Sequence, residues 1–178
     1  MVVGYEPMED QYEQLQKLVP LLSKERFIAV NDLSNIRDHQ FNKICCLEVL
    51  EHLTEANQIA VFSSIRSFLG PNGVVLLSVP IEIGFSGLMK NIVRFLLRQS
   101  HQDISLINTA KSFIGMKIER GDRAYISSHV GFDYRDLQRV IVHSGFCVKK
   151  RLFSPFPILG GWLNSQVFFV LERRENNL

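Results

Sequence analysis

The segment from Phe41 to Pro80 constrains the fold more than any other part of this sequence, because it indicates a strand, a helix and a second strand. Residues 41–47 form a short apolar run, and residues 59–69 carry apolar side chains at helical spacing. The turn-forming residues 70–73 are predicted to end that helix. Residues 74–79 are then almost all apolar, as in a strand buried on both faces. This order predicts a parallel βαβ unit, which is almost always right-handed.

Shorter patterns on both sides extend this unit into a larger sheet. The further strands predicted cover residues 1–5, 27–30, 146–153 and 166–172. The further helices predicted cover residues 8–24, with Pro20 expected to kink or end the helix, residues 88–98, residues 104–118, and the segment between Asp133 and Gly145. No helix separates the last two strands, so they are expected to be antiparallel. The pattern predicts an α/β fold, a Rossmann-like three-layer sandwich whose mostly parallel sheet ends in antiparallel strands.

Composition narrows the functional classes. The 178 residues, 46% of them hydrophobic, suit one globular domain, residues 1–178, in which residues 81–127 form an inserted helical lid. A net charge of +2 gives no reason to expect a nucleic-acid partner. The three cysteines lack metal-ligand spacing, so we expect no metal site and interpret them as small core residues in a reducing compartment. Without a signal-peptide pattern or an apolar run of about 18–20 residues, we expect a cytoplasmic protein with no membrane span.

The predicted fold itself selects candidate binding positions. In open α/β sheets, ligands bind at the carboxyl ends of the strands. That rule singles out four strand ends, which are Glu6-Pro7, Asp32-Leu33, Leu47-Glu48 and Pro80-Ile81.

Several of these strand ends lie in recognisable motifs. In chain order the motifs are V-V-G-Y-E-P at 2–7, V-N-D-L at 30–33, E-V-L-E-H at 48–52, L-G-P-N-G at 69–73, H-x-x-F at 129–132 and S-G-F at 144–146. In this order and at this spacing, they resemble the class I S-adenosylmethionine-dependent methyltransferases, especially the small-molecule branch. The resemblance covers nearly the whole chain. Asn72 departs from it, because the family usually has Gly there.

The resemblance implies roles for individual residues. Glu6 would hold the ribose hydroxyls of S-adenosylmethionine, because a carboxylate can accept two hydrogen bonds from a vicinal diol, and Asp32 would lie beside the adenine amino group. The residues implied to bind the cofactor are Glu6, Pro7, Asp32, Leu33, Leu47 and Glu48. The residues implied on the substrate side are His52, Glu82 and His129, and no catalytic residue is assigned.

Simpler interpretations of the same residues stay open. Glu6 could begin an exposed turn, and Asp32 could be an N-cap or turn residue. Glu48, Glu51 and His52 are expected to open a helix, where carboxylates favour the helix dipole whatever the function.

The implied reaction is methyl transfer to a small or lipid-linked acceptor. The amphipathic segment 88–98 carries Lys90, Arg94 and Arg98 on its polar face, which favours an anionic or lipid-like substrate and leaves peripheral membrane contact open. A homodimer also stays open. The alternative function is a non-catalytic methyltransferase-like binding or scaffold subunit. A nicotinamide-dependent Rossmann enzyme ranks lower, because it does not explain the E-V-L-E-H and L-G-P-N-G motifs.

One departure from the family is larger than the others. The family's first strand and its glycine-rich loop, D/E-x-G-x-G, are expected before Val2, and the sequence has neither. We therefore expect a fold truncated at the N-terminus. Three explanations stand: a fragment or misassigned start codon, a strand supplied by another chain, or a protein that has lost catalysis.

Overall fold

The computed structural model describes residues 1–22, 26–82, 132–161 and 163–174. The strands are β1 Val2–Tyr5, β2 Phe27–Val30, β3 Phe41–Leu47, β4 Leu69–Pro80, β5 Phe146–Ser154 and β6 Gln166–Arg173. The α-helices are α1 Glu9–Leu22, α2 Glu55–Phe68 and α3 Tyr134–His143. The helices predicted over 88–98 and 104–118 lie outside the described residues, as does His129. The described chain divides into two compact units, residues 1–39 and residues 40–178.

The first unit is a two-stranded parallel sheet with one helix. Strands β1 and β2 pair so that Tyr5 lies opposite Val30. Helix α1 lies against Gly4, since a Cβ there would be 3.2 Å from the side chain of Leu15. Pro20 does not end the helix, which continues to Leu22, because a proline in the last turn removes only one of the final backbone hydrogen bonds.

The second unit contains a four-stranded mixed sheet in the order β3-β4-β6-β5. Strands β3 and β4 are parallel and are joined through α2, which confirms the βαβ unit. Strand β6 lies between β4 and β5 and is antiparallel to both, which confirms the antiparallel last strands. Among the described helices, none combines the length and the apolar composition that crossing a membrane would require.

The core of the second unit is built on β4. Val75, Leu77 and Val79 are fully buried on one face of the strand. Helix α2 contributes Phe62 to the same apolar cluster, and α3 contributes its own buried face, consisting of Tyr134, Leu137, Val140 and Ile141. Each such fully buried side chain stabilises the fold by about 1.5–3 kcal/mol.

The structure shifts two predicted boundaries. Helix α2 ends before the turn-forming residues 70–73, but these residues belong to the start of β4, where Leu69 pairs with Phe41 and a register irregularity follows. At its other end, α2 begins after Thr54, whose hydroxyl accepts a hydrogen bond from the backbone N–H of Asn57. The E-V-L-E-H motif therefore precedes the helix, and residues 50–52 form a separate 3-10 turn.

Two arginines hold the carboxyl end of α2, one by joining it to β6 and the other by joining it to the end of α3. The Arg173 guanidinium donates hydrogen bonds to the carbonyl oxygens of Arg66 and Leu69, which close α2. Arg66 in turn donates to the carbonyl oxygen of Gly145, just after α3, at 3.3 Å. Gly145 has φ +83°, and a Cβ there would lie 1.9 Å from Nη1 of Arg66. Glycine is therefore favoured at this position by its backbone conformation, and any larger residue would also have to displace the end of the Arg66 side chain.

Gly145→Ala is expected to destabilise the chain. The left-handed backbone alone costs an L-residue about 1–2 kcal/mol, and the methyl group also displaces Arg66. Urea unfolding measures the loss, with Gly70→Ala as the matched control, because a Cβ at Gly70 meets its nearest atom at 3.5 Å. Equal stability of Gly145→Ala and Gly70→Ala would contradict this account.

Candidate functional site

The carboxyl end of β3 holds Glu48 in an unusual backbone conformation. Its φ is +54°, a left-handed value that non-glycine residues rarely adopt. Two contacts with β4 fix it there: its N–H donates to the carbonyl oxygen of Ser78 at 3.0 Å, and the Ser78 hydroxyl donates to Oε1 at 2.8 Å. Strained residues held in this way cluster at binding and active sites. The half-buried carboxylate is therefore pre-positioned and retains acceptor capacity at Oε2.

The 3-10 turn that follows places a second acidic residue inside the protein. Glu51 is fully buried, and Nε2 of His52 lies 3.9 Å from its Oε1. Gln58 of α2 holds the turn by donating hydrogen bonds to the carbonyl oxygens of Leu50 and Leu53, at 2.8 and 3.3 Å. The E-V-L-E-H motif is thus a fixed loop with one buried carboxylate beside an imidazole.

Glu51 also affects a neighbouring thiol. Burial raises the pKa of Cys46 to about 11, and the negative charge of Glu51 adds to the shift. Cys46 therefore stays protonated at neutral pH. Cys45, by contrast, is exposed on β3, so the interpretation of all three cysteines as core residues is wrong for this one.

The carboxyl end of β4 supplies the remaining described residue predicted on the substrate side. After Pro80, Ile81 is fully buried and its N–H donates to the carbonyl oxygen of Ser165 at 2.9 Å. Glu82 follows and is also buried. On the neighbouring strand, the side chain of Leu47 is half exposed, so it offers an apolar surface that a bound ligand could cover.

The first unit brings Glu6 and Asp32 to the same edge of its sheet. The two carboxylates are among the causes that raise the pKa of Tyr5, after burial. Oε1 of Glu6 accepts a hydrogen bond from the N–H of Met8 at 2.9 Å. Asp32 accepts from the hydroxyl and the N–H of Ser34, at 2.7 and 2.8 Å, and the pKa of Asp32 is lowered as a result.

Both carboxylates therefore have the local structural roles that the simpler interpretation gave them. Asp32 caps the 3-10 turn Leu33–Ile36, of which Leu33 is the first residue, and exposed Pro7 follows Glu6. These roles leave acceptor capacity on each carboxylate, since an ionised carboxylate has about four lone-pair sites.

Ser78 is the residue that sequence reasoning missed. It orients Glu48, and its signal was a lone hydroxyl within the apolar run 74–79. Within residues 1–22, 26–82, 132–161 and 163–174, no group of three His, Cys, Asp or Glu residues is placed to hold a metal ion.

Solved structures of other proteins share this architecture. PH0226 protein from Pyrococcus horikoshii OT3 gives a TM-score of 0.62 at 16% identity, over 98% of this chain and 72% of that one. The CcbJ methyltransferase from Streptomyces caelestis gives 0.61 at 12% identity, over 98% and 75%. The glycopeptide N-methyltransferase MtfA complexed with S-adenosylmethionine gives 0.59 at 16% identity, over 98% and 72%. The chain has the fold of the class I methyltransferases.

The similarity lies in the fold rather than in close sequence relationship. No protein-family model matches the chain, and no curated protein matches its sequence. The chain spans 58% of the ribosomal protein L11 methylase from Lactobacillus delbrueckii subsp. bulgaricus, which has the same methyltransferase fold at 9% identity and a TM-score of 0.50. In this methyltransferase fold, Leu47 and Glu48 lie at the end of β3, and Glu82 just beyond β4.

The left-handed conformation of Glu48 predicts that a glycine substitution is less destabilising than an alanine substitution, the reverse of the usual order. Glu48→Ala and Glu48→Gly both remove the carboxylate, but only glycine adopts φ +54° without strain. Glu48→Gly should therefore be the more stable of the two by about 1 kcal/mol. Urea unfolding of both variants measures this difference. If the alanine variant is equally or more stable, Glu48 does not hold this conformation in solution.

Cys46 is expected to resist thiol reagents in the native chain. Its raised pKa keeps the thiolate population negligible until the pH approaches about 11, whereas Cys45 is exposed. Labelling followed by peptide mass spectrometry at pH 8 should therefore modify Cys45 first, and a Cys45→Ser control should lose that fast phase. Labelling of Cys46 as fast as Cys45 would contradict this account.

The same pKa shift affects stability. Because the folded pKa of Cys46 lies above the ordinary 9.0, the protonated Cys46 thiol stabilises the fold below pH 9, and this contribution is lost as the pH rises towards about 11.

Proposed function

We propose that this chain binds S-adenosylmethionine and serves in methyl transfer to a small or lipid-linked acceptor. The observation that carries the proposal is the strained, hydrogen-bonded Glu48 at the carboxyl end of β3, in a methyltransferase fold. Solved proteins of this fold hold S-adenosylmethionine, S-adenosylhomocysteine or sinefungin. The predicted cytoplasmic location and the possible homodimer stay predictions.

The residues present have the chemistry that such a cofactor needs. Glu48 is oriented by Ser78 and can accept a hydrogen bond from a ligand hydroxyl or amine. Leu47 offers an exposed apolar surface next to it. The roles that the sequence predicts for Glu6 and Asp32, towards the ribose hydroxyls and the adenine amino group, stay predictions, as do those of Pro7 and Leu33.

Methyl transfer requires mainly that the protein position the acceptor and the cofactor relative to each other. The sulfonium cofactor supplies an activated methyl group, so holding the acceptor in line with that group can contribute several kcal/mol to the rate enhancement. His52 and Glu82 are proposed on the acceptor side, where the imidazole beside Glu51 could hold a proton if the acceptor must lose one. The proposed lipid-linked acceptor follows from the basic segment 88–98, which lies outside the described residues, as does His129.

Calorimetric titration with S-adenosylmethionine tests the proposal. The 178-residue chain is expected to bind it, and Glu48→Gln is expected to weaken binding by about 10- to 100-fold, because a hydrogen bond to a charged group is worth about 1.5–3 kcal/mol. Glu55→Gln is the matched control, since Glu55 is exposed at the start of α2.

The outcomes separate two claims. Absence of binding at millimolar cofactor would overturn the cofactor proposal and favour the non-catalytic scaffold alternative. Binding that Glu48→Gln leaves unchanged would overturn the role of Glu48 alone.

A further inference from the structure

The connection between β5 and β6 presents a group of exposed apolar side chains. Phe156 is 57% exposed, Ile158 98%, Leu159 46% and Leu163 45%. Single exposed apolar residues are ordinary, but here four lie within eight residues of one loop. We call these four side chains the apolar tip.

The loop that carries the apolar tip is held from inside. Asn164 is fully buried, accepts a hydrogen bond from the N–H of Phe156 at 2.6 Å, and donates to the carbonyl oxygens of Phe156 and Gly160 at 2.7 and 2.6 Å. The N–H of Ser165 donates to the carbonyl oxygen of Ser154 at 3.0 Å, which closes the base of the loop. The apolar side chains are therefore displayed by an ordered support.

The same bonds satisfy part of the backbone of the loop internally. Pro155 and Pro157 have no N–H to satisfy. The N–H of Leu159 donates to the carbonyl oxygen of Phe156, and Asn164 satisfies the N–H of Phe156. Backbone polar groups that enter lipid must be satisfied within the protein, because hydrocarbon offers no hydrogen bonds.

The charge pattern around the loop favours an anionic surface. Residues 152–171 contain no charged side chain, and the strand that leads into the loop carries Lys149, Lys150 and Arg151, all exposed. Lys149 pairs with Glu172 at 3.0 Å, whereas Arg151 donates to the neutral side chain of Gln138 and so keeps its positive charge uncompensated by that partner.

The carboxylates at the start of the neighbouring helix α3 are paired with arginines. Asp133 contacts Arg135, and Asp136 contacts Arg139, each at 2.7 Å. These pairs reduce the repulsion that α3 would exert on an anionic surface.

We propose that the apolar tip inserts into the boundary between the headgroups and acyl chains of an anionic lipid bilayer, with Lys150 and Arg151 near the lipid headgroups. Apolar insertion combined with basic residues is the usual composition of peripheral membrane contacts. Among the described residues 155–161 and 163–164, the loop itself presents no exposed polar side chain of the kind found at the rim of a protein interface. The polar side chain of the 155–164 segment, Asn164, is buried and engaged within the loop. This inference does not depend on the proposed methyl transfer.

Flotation of the full chain with lipid vesicles tests the proposal. Binding is expected to vesicles of phosphatidylcholine with phosphatidylglycerol, and to be weaker with phosphatidylcholine alone. Phe156→Ser combined with Ile158→Ser should lower the partition coefficient by about tenfold or more, since two large apolar side chains lose their transfer free energy. The matched control combines Ile59→Ser and Val142→Ser, which replace exposed apolar residues of α2 and α3. Circular dichroism verifies that both double variants fold.

Trp162 provides a second readout. It is the only tryptophan of the chain and is adjacent in sequence to Leu163, so its fluorescence should shift to shorter wavelength when anionic vesicles are added. Absence of vesicle binding by the unsubstituted chain would overturn the proposal, as would equal binding by the tip variant. If the unsubstituted chain instead forms dimers that the tip substitutions dissociate, and binds no vesicles, the tip is a self-association surface and the membrane proposal is wrong.

Discussion

Strand β4 is the element on which the second unit depends, because it hydrogen-bonds to a neighbour on each side while its side chains pack into the core. Its pairing with β3 is parallel and its pairing with β6 is antiparallel, so it joins the βαβ unit to the final hairpin. Fully buried Val75, Leu77 and Val79 fix its position against the helices. The loops at its carboxyl end and at that of β3 therefore start from well-determined points.

That support explains how the chain keeps Glu48 in a strained conformation. The left-handed residue costs about 1–2 kcal/mol, and two contacts with Ser78 of β4 offset it. The next turn packs Glu51 inside and is held by Gln58 from α2. Strand, helix and loop thus cooperate to present one carboxylate in a defined orientation, as a preorganised binding site requires.

Much of this fold follows from periodicity and turn chemistry. The apolar runs at 41–47 and 166–172 predicted β3 and β6 closely. A helix was also predicted between Asp133 and Gly145, and α3 lies there, with the Asp133 side chain accepting from the N–H of Arg135 at its start. The start of β4 at Leu69 was harder to predict. Leu69 pairs with Phe41 as part of the strand, although the residues that follow it are typical of a turn.

The site was less accessible to sequence reasoning. Strand ends can be located by pattern, and that rule found Leu47 and Glu48. It could not show that Glu48 is left-handed, because this depends on the pairing with Ser78, which is 30 residues away. Nor could it show that Asn164 holds a loop whose apolar side chains face outwards, since a tertiary hydrogen-bond pattern has no local sequence signal.

The central claim is that the carboxyl end of β3 is a cofactor-binding surface supported by β4. Hydrogen exchange of the 178-residue chain, measured by peptide mass spectrometry with and without S-adenosylmethionine, tests it most directly. The account predicts slower amide exchange for residues 47–53 when the cofactor is present, and unchanged exchange for residues 155–164. Unchanged exchange for residues 47–53 at a cofactor concentration that saturates binding would contradict it.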